Sequence, residues 1–398
     1  MRKPSTLSER HVIGFLATIS ALMAFGVDAS LPAIDDIRST FDLAPEDNSV
    51  TQVISLYLLG VALGHVVYGP VADRFGRMPT LRFGFLLYIL GATTAAIAPN
   101  LETLLMARAL WGFGASVASV LRTTIVRDLY AGNQMARVIS VIMGFFLLGP
   151  IVAPLLGSGI LVIATWRWLF AGSVFLCVIL VGWSYRFAET LNPEDRRPLQ
   201  IGPTLAAFRQ VLTTRVTIFY LLAMTFAYGA FFTYIASMQP VLDVIYQRAD
   251  WFAPVFSCSG VLMAISFFTV NRFIEKYGAH LIALRVLTVA FILSVSLLSI
   301  TFVSGGRPPF WLFVIGIALI NAFLTLLTPT GTALALEPMG NLAGTASGAI
   351  GLISMGGASF LSTLINAQIS STVTPMIAGY TIFGGLAFLC ALASNTSE

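Results

Sequence analysis

The chain repeatedly runs without charge for lengths that suit a membrane-spanning helix. Stretches lacking Asp, Glu, Lys and Arg cover 48–72, 83–101, 138–166, 168–185, 216–242, 251–271, 286–306, 308–336 and 338–397. A helix rises about 1.5 Å per residue, so about 20 apolar residues cross the hydrocarbon core. The last stretch must hold two helices, parted near Ser370-Ser371-Thr372-Val373-Thr374-Pro375. Two further spans carry charge: 11–34 with Asp28, and 101–126 with Arg108 and Arg122. The expectation is an all-α polytopic membrane protein with twelve transmembrane helices. The expected spans are 11–34, 48–72, 79–99, 101–126, 138–162, 166–187, 216–240, 250–271, 280–303, 309–332, 343–368 and 375–393.

Only 10% of residues are charged and the mean hydropathy is +0.88, against about 25% charge in a soluble domain. That balance excludes a disordered or nucleic-acid-binding chain and leaves membrane lipid as the surroundings. The net charge of +4 is then a topology signal. With the N-terminus inside, sixteen Lys/Arg fall on cytoplasmic segments and four outside, at Arg38, Arg167, Arg248 and Arg307. Both termini are therefore expected in the cytoplasm. Cys177, Cys258 and Cys390 lie in apolar runs without metal spacing and read as buried apolar residues. The N-terminal basic residues and apolar run lack a clear cleavage site, so an uncleaved first helix is expected.

The longest polar connection, 188–215, follows the sixth span. It is expected to link an N-terminal six-helix bundle, 1–187, to a C-terminal one, 216–398. Asp73-Arg74-Phe75-Gly76 returns 202 residues later as Glu275-Lys276-Tyr277-Gly278. Acid, base, aromatic and Gly recur in order at matching turns. Two related halves, with a substrate site between them near the midplane, are a carrier's build.

The first of those turns belongs to a longer pattern. Gly60 and Gly64 lie on an apolar run, followed by Gly69-Pro70, Asp73-Arg74, Gly76 and Arg77. The glycines admit a neighbouring helix, and Gly76 suits a positive φ in a short turn. Asp73 has two candidate partners, a helix N-terminus or a nearby Arg. The spacing resembles the signature between the second and third helices of the major facilitator superfamily, which marks Gly69, Asp73, Arg74, Gly76 and Arg77 as a gating motif. In the fifth span, Gly144, Gly149, Pro150, Pro154 and Gly157 form a Gly/Pro series. It resembles the antiporter signature of drug exporters, thought to seal a leak path.

Asp28 is the only carboxylate well inside an expected span, and such a group is costly in lipid. It is the candidate proton carrier; the competing reading is an Asp at a helix end facing water. Arg108 lies at a similar depth, roughly 10 Å from the same end, and would influence when the proton leaves Asp28. Snorkelling to the interface is the competing reading for Arg108. Arg122 either snorkels past Arg127 or meets an anionic substrate group. Tyr57, Trp111, Tyr228, Phe232, Gln239 and Asn321 join Arg122 as candidate lining of a substrate cavity. His65 shows no metal-spaced partner and is assigned no site.

Longer segments carry a closer resemblance. They include Val27-Asp28-Ala29-Ser30-Leu31-Pro32-Ala33, Arg108 with Trp111-Gly112, Val126-Arg127-Asp128-Leu129-Tyr130, Trp166-Arg167, Glu189-Thr190-Leu191 and Ala343-Gly344-Thr345-Ala346-Ser347. They look like the bicyclomycin/chloramphenicol-resistance branch of drug:proton antiporters. The resemblance implies a monomeric exporter of small drugs in a bacterial inner membrane, driven by the proton gradient without a cofactor. It places the family's first-helix Asp at Asp28 and its fourth-helix Arg at Arg108. Trp111 and His65 stand where the family usually has Gln, Ala29-Ser30 where it has Met-Tyr, and Arg122 is unusual. The same fold also admits an exporter of one endogenous metabolite or siderophore. An enzyme is not expected: there is no nucleophile–base pair, metal cluster or phosphate loop in the sequence.

Overall fold

The computed structural model describes residues 9–44, 48–130, 149–191, 193–196 and 201–394, with isolated positions between 131 and 148. Fifteen α-helices are described: α1 Glu9–Asp28, α2 Ile34–Thr40, α3 Gln52–Phe75, α4 Arg77–Ala96, α5 Leu101–Leu129, α6 Gly149–Leu161, α7 Trp166–Ser184, α8 Ile201–Thr213, α9 Arg215–Pro240, α10 Phe252–Tyr277, α11 Ala279–Val303, α12 Phe310–Thr325, α13 Leu327–Leu336, α14 Ala343–Asn366 and α15 Thr374–Ala393. Among the described residues, ten helical stretches are long and apolar enough to cross a membrane. The 20-residue α4 takes the place of the third span, and α6 is the continuously described part of the fifth. The architecture is the all-α polytopic fold expected.

Contacts divide the chain into two compact units. The first holds Met1–Phe41 and Leu56–Ile201; the second holds Asp42–Ser55 and Gly202–Glu398. In the first unit, α4 packs along α5 and α7, and α1 along α5 and α6. In the second, α9 packs along α14 and α15, and α11 along α12 and α15. The opening of α3 groups with the second unit, where the Ser359 hydroxyl donates to the Ser55 carbonyl at 2.6 Å.

Three elements differ from the expected spans. The first span is not one helix over 11–34: α1 stops at Asp28, a 3-10 turn covers Leu31–Ala33, and α2 continues to Thr40. Pro32 has no N–H to donate to the Asp28 carbonyl four residues back, so the ladder ends there. The tenth span breaks for the same reason. Pro329 leaves the Thr325 carbonyl without its donor, and α12 ends at Thr325 before α13 begins. The connection 188–215 contains α8, which buries Val211 while Leu205 and Leu212 stay exposed.

The turn repeat is present in the backbone. Gly76 between α3 and α4 has φ +106°, and Gly278 between α10 and α11 has φ +80°. Both lie where a side chain is strained. Cys177 is buried, as expected, but Cys258 faces outward on α10.

Candidate functional site: a buried carboxylate and a polar turn in the first unit

Asp28 is the last residue of α1 and is only 5% exposed. It is therefore a helix-end residue that is nevertheless buried. α6 lies against it. A Cβ built on Gly149 would come within 2.3 Å of the Ala24 Cβ and 3.5 Å of Asp28 Oδ2. One built on Gly157 would come within 2.5 Å of the Ala29 carbonyl oxygen and 3.0 Å of Pro32. Two glycines of the fifth-span series thus seat α6 on both sides of the break in the first span, with no room for a side chain. Pro150 and Pro154 both lie within α6; Gly144 falls outside the described residues.

Arg108 has no exposed surface. Its Nη1 donates to the Gly26 carbonyl at 2.8 Å, and its Nη2 lies 3.5 Å from the Ser30 hydroxyl. Its guanidinium carbon sits 4.4 Å from the Tyr57 ring centroid, 4.7 Å from that of Trp111 and 5.6 Å from that of Phe170. Aromatic faces attract a cation, and more strongly in a dry interior. The Arg108 cation thus brackets Asp28 through Gly26 and Ser30, two residues to either side. Among the described residues no salt bridge joins it to the Asp28 carboxylate. Snorkelling does not describe it.

Tyr57 and Trp111 are therefore parts of this cage. Tyr57 also donates to the Met23 carbonyl at 3.2 Å. Of the other candidate cavity residues, Asn321 is fully buried and accepts from Tyr380 at 2.8 Å across α12 and α15. Phe232 and Gln239 are buried on α9, at 4% exposure each. Tyr228 stacks on Phe232 and keeps part of its surface accessible. Arg122 is also partly accessible.

The α3–α4 turn forms the second cluster. Arg77 is 4% exposed and bridges two carboxylates, Asp73 at 2.5 Å from Nη1 and Asp128 at 3.0 Å from Nε. The Thr190 hydroxyl donates to the same Asp128 oxygen at 3.3 Å. Glu189 supplies the helix cap that Asp73 was a candidate for. Its carboxylate accepts from the backbone N–H groups of Arg77 at 2.8 Å, Met78 at 3.1 Å and Leu191 at 2.9 Å. A negative group there satisfies donors that the helix leaves open and opposes the positive end of its dipole. A Cβ on Gly76 would meet Glu189 Oε2 at 2.5 Å, so Gly76 serves both the turn and the cap. Arg74 is exposed, and a Cβ on Gly69 would touch nothing within 4 Å. Neither joins the cluster.

Asp128 and Glu189 were not among the candidate site residues. Each lay inside a quoted motif, but nothing local announced its partner, 51 or more residues away.

A bundle of spanning helices, with one buried carboxylate at a helix break and an ionic cluster at a turn, is the build of a membrane carrier. The family comparison agrees. The model of the Major Facilitator Superfamily matches residues 15–363, and the chain belongs to that superfamily. It is 31% identical over 394 residues to an uncharacterized MFS-type transporter, YdgK, of Bacillus subtilis, covering 96% of each chain. It is 28% identical over 372 residues to a bicyclomycin resistance protein homolog of Haemophilus influenzae, covering 91% of this chain and 90% of that one. The partially occluded, inward-open structure of the xylose transporter XylE from Escherichia coli shares the fold, with TM-score 0.74, 15% identity and 96% of each chain covered. The protein is a multi-pass membrane transporter and not an enzyme.

Proposed function

We propose that this transporter exports small drug-like molecules in exchange for protons. It works as a monomer by alternating access in a bacterial inner membrane, with both termini cytoplasmic and no cofactor. The observation that carries this reading is the Asp28 carboxylate, enclosed at the end of α1 beneath Gly149 of α6. An ion in an apolar interior is costly, so its charge is tied to whether the site is closed or open to water. Arg108, bonded to Gly26 beside it, is the group through which a shift of α5 against α1 reaches Asp28. The Arg77 cluster and the Glu189 cap hold the α3–α4 turn in one of the two access states. The relative from Haemophilus influenzae, named for bicyclomycin resistance, supports the choice of cargo.

The test is a drug-susceptibility panel in an exporter-deficient host, followed by uptake into everted vesicles. Raised resistance, with uptake that collapses when the proton gradient is dissipated, is the expected result. No change for any drug, with the protein present in the membrane, would favour a single-metabolite exporter.

A further inference from the structure

α8, with 13 residues, is too short to cross the hydrocarbon core. Its sequence is amphipathic. Leu205, Phe208 and Leu212 recur at i, i+3 and i+7, the spacing of one helix face. Leu205 is 67% exposed and Leu212 52%, with Phe208 partly exposed between them, so the stripe turns away from the protein. Val211, on the neighbouring side of the helix, is wholly buried. Arg209 borders the stripe, one turn beyond Leu205, and is exposed. Among the described residues it joins no salt bridge, and no other helix packs along α8 over its length.

One residue, Thr214, separates α8 from α9. Its N–H donates to the Gln210 carbonyl at 2.9 Å and closes α8; its carbonyl accepts from the Ile218 N–H at 2.9 Å and opens α9. Thr214 is extended, with ψ 114°, so the chain turns there and α8 does not continue the axis of α9. Arg215 is the only charged residue of α9. It donates to the Ala393 carbonyl at 3.2 Å, at the last residue of α15. Two spans therefore leave the hydrocarbon at this corner, and α8 starts at the bilayer surface. The surrounding chain is basic: Arg196, Arg197, Arg209 and Arg215 are followed by no acidic residue before Asp243.

We propose that α8 lies in the membrane plane and binds an anionic phospholipid surface. Leu205, Phe208 and Leu212 enter the boundary between headgroups and acyl chains, and the Arg209 guanidinium pairs with lipid phosphate. A short helix with Leu and Phe on one face and Arg at its border suits that boundary. A guanidinium presents paired N–H donors that match phosphate. The bilayer is the occupant because the corner at Thr214 sets α8 beside it and because the charge of the segment complements phosphate. On the proposed topology this is the cytoplasmic leaflet, whose surface is negative. The inference holds whatever molecule the transporter carries.

The full-length protein, with Cys177, Cys258 and Cys390 replaced by Ser, tests this in mixed vesicles of phosphatidylcholine and phosphatidylglycerol. A fluorophore is attached at Leu205→Cys, Leu212→Cys or Ala206→Cys; Ala206 is exposed but lies off the stripe. Lipid brominated high on the acyl chain quenches from the membrane, and acrylamide quenches from water. Labels at Leu205→Cys and Leu212→Cys should be quenched by brominated lipid and shielded from acrylamide, and the label at Ala206→Cys should show the opposite pattern. If Leu205→Cys does not fold, Leu212→Cys carries the measurement. Placing the bromine on one lipid and then on the other reads the headgroup preference. Phosphatidylglycerol should be favoured about fivefold, the ratio that about 1 kcal/mol for one basic residue gives. Arg209→Gln should remove that preference and leave the lipid contact of the stripe in place. Stripe labels open to acrylamide and untouched by brominated lipid overturn the proposal. Shielding from both quenchers also overturns it, and would show the stripe covered by protein, from this chain, a second copy or another partner. Equal quenching by the two brominated lipids, or a preference that survives Arg209→Gln, overturns it as well.

Discussion

Arg108 and Gly26 meet across 82 residues of chain, with the guanidinium Nη1 2.8 Å from the Gly26 carbonyl oxygen. The cation of α5 is anchored to the backbone of α1 two residues before Asp28. Its planar face is held at the same time by Tyr57 and Trp111. Position along α5 and the surroundings of Asp28 are thereby linked through one side chain.

The first prediction follows from that anchor. Arg108→Lys keeps the charge but loses the flat face and the second donor. Each ring contact is worth on the order of 0.5–2 kcal/mol. Transport should therefore fall strongly in Arg108→Lys, and further in Arg108→Ala, with a lower melting temperature in both. Efflux assays beside thermal unfolding in detergent check this. Normal efflux by Arg108→Lys would remove the anchoring role.

The α3–α4 turn gives a second prediction. Glu189→Ala leaves the N–H groups of Arg77 and Met78 without their acceptor. Loss of a cap costs about 0.5–2 kcal/mol. Gly76→Ala places a Cβ 2.5 Å from the same carboxylate, at a φ of +106°. Both should lower stability and transport. Their double variant should cost less than the two costs added, because they disturb one contact. Asp73→Asn weakens the Arg77 bridge without touching the cap, and should reduce transport while drug binding persists. Strict additivity in the Gly76–Glu189 cycle would separate the two residues.

Packing of α6 on the first span is tested by size. Gly149→Ala brings two Cβ atoms to 2.3 Å at Ala24. It should impair transport, and Gly149→Val more so. Ala24→Gly should restore part of the activity of Gly149→Ala by clearing that methyl group. Equal activity of Gly149→Ala with and without Ala24→Gly would show that the contact is unimportant.

Topology is tested by labelling. A cysteine placed at Gln200, in a variant lacking Cys177, Cys258 and Cys390, should resist an impermeant reagent in intact cells. It should react once the membrane is opened. Labelling in intact cells would reverse the orientation.

Much of the fold was open to reading because lipid imposes one demand on every span, and charge-free runs record it. The helix breaks were also recorded. Pro32 and Pro329 each point four residues back, to Asp28 and Thr325, where α1 and α12 end. Reading 11–34 as continuous overlooked that rule. Helix α8 had left a local trace in the spacing of Leu205, Phe208, Val211 and Leu212 within a connection judged by its polarity. Other features had no local trace. Gly76 announced a turn, but that Glu189 would cap it, 112 residues from the Arg77 N–H that donates to it, depends on how α7 returns beside α4. Arg108 announced a buried cation. Its grip on Gly26, and not on the Asp28 carboxylate, depends on the approach of α5 to α1.

Proton coupling through Asp28 is the central claim, and Asp28→Asn tests it most directly. The variant keeps the shape of the side chain and removes its charge, so it should insert, fold and keep the melting temperature of the parent. Everted vesicles under an imposed proton gradient, supplied from the medium with a drug that the parent exports, give the measurement: uphill drug uptake together with the proton efflux that accompanies it. The account predicts that Asp28→Asn loses both, while binding the drug and equilibrating it down its own gradient. Uphill uptake by Asp28→Asn at the parent's rate, with the parent's proton flux, would contradict it and leave Asp28 a structural residue at the end of α1.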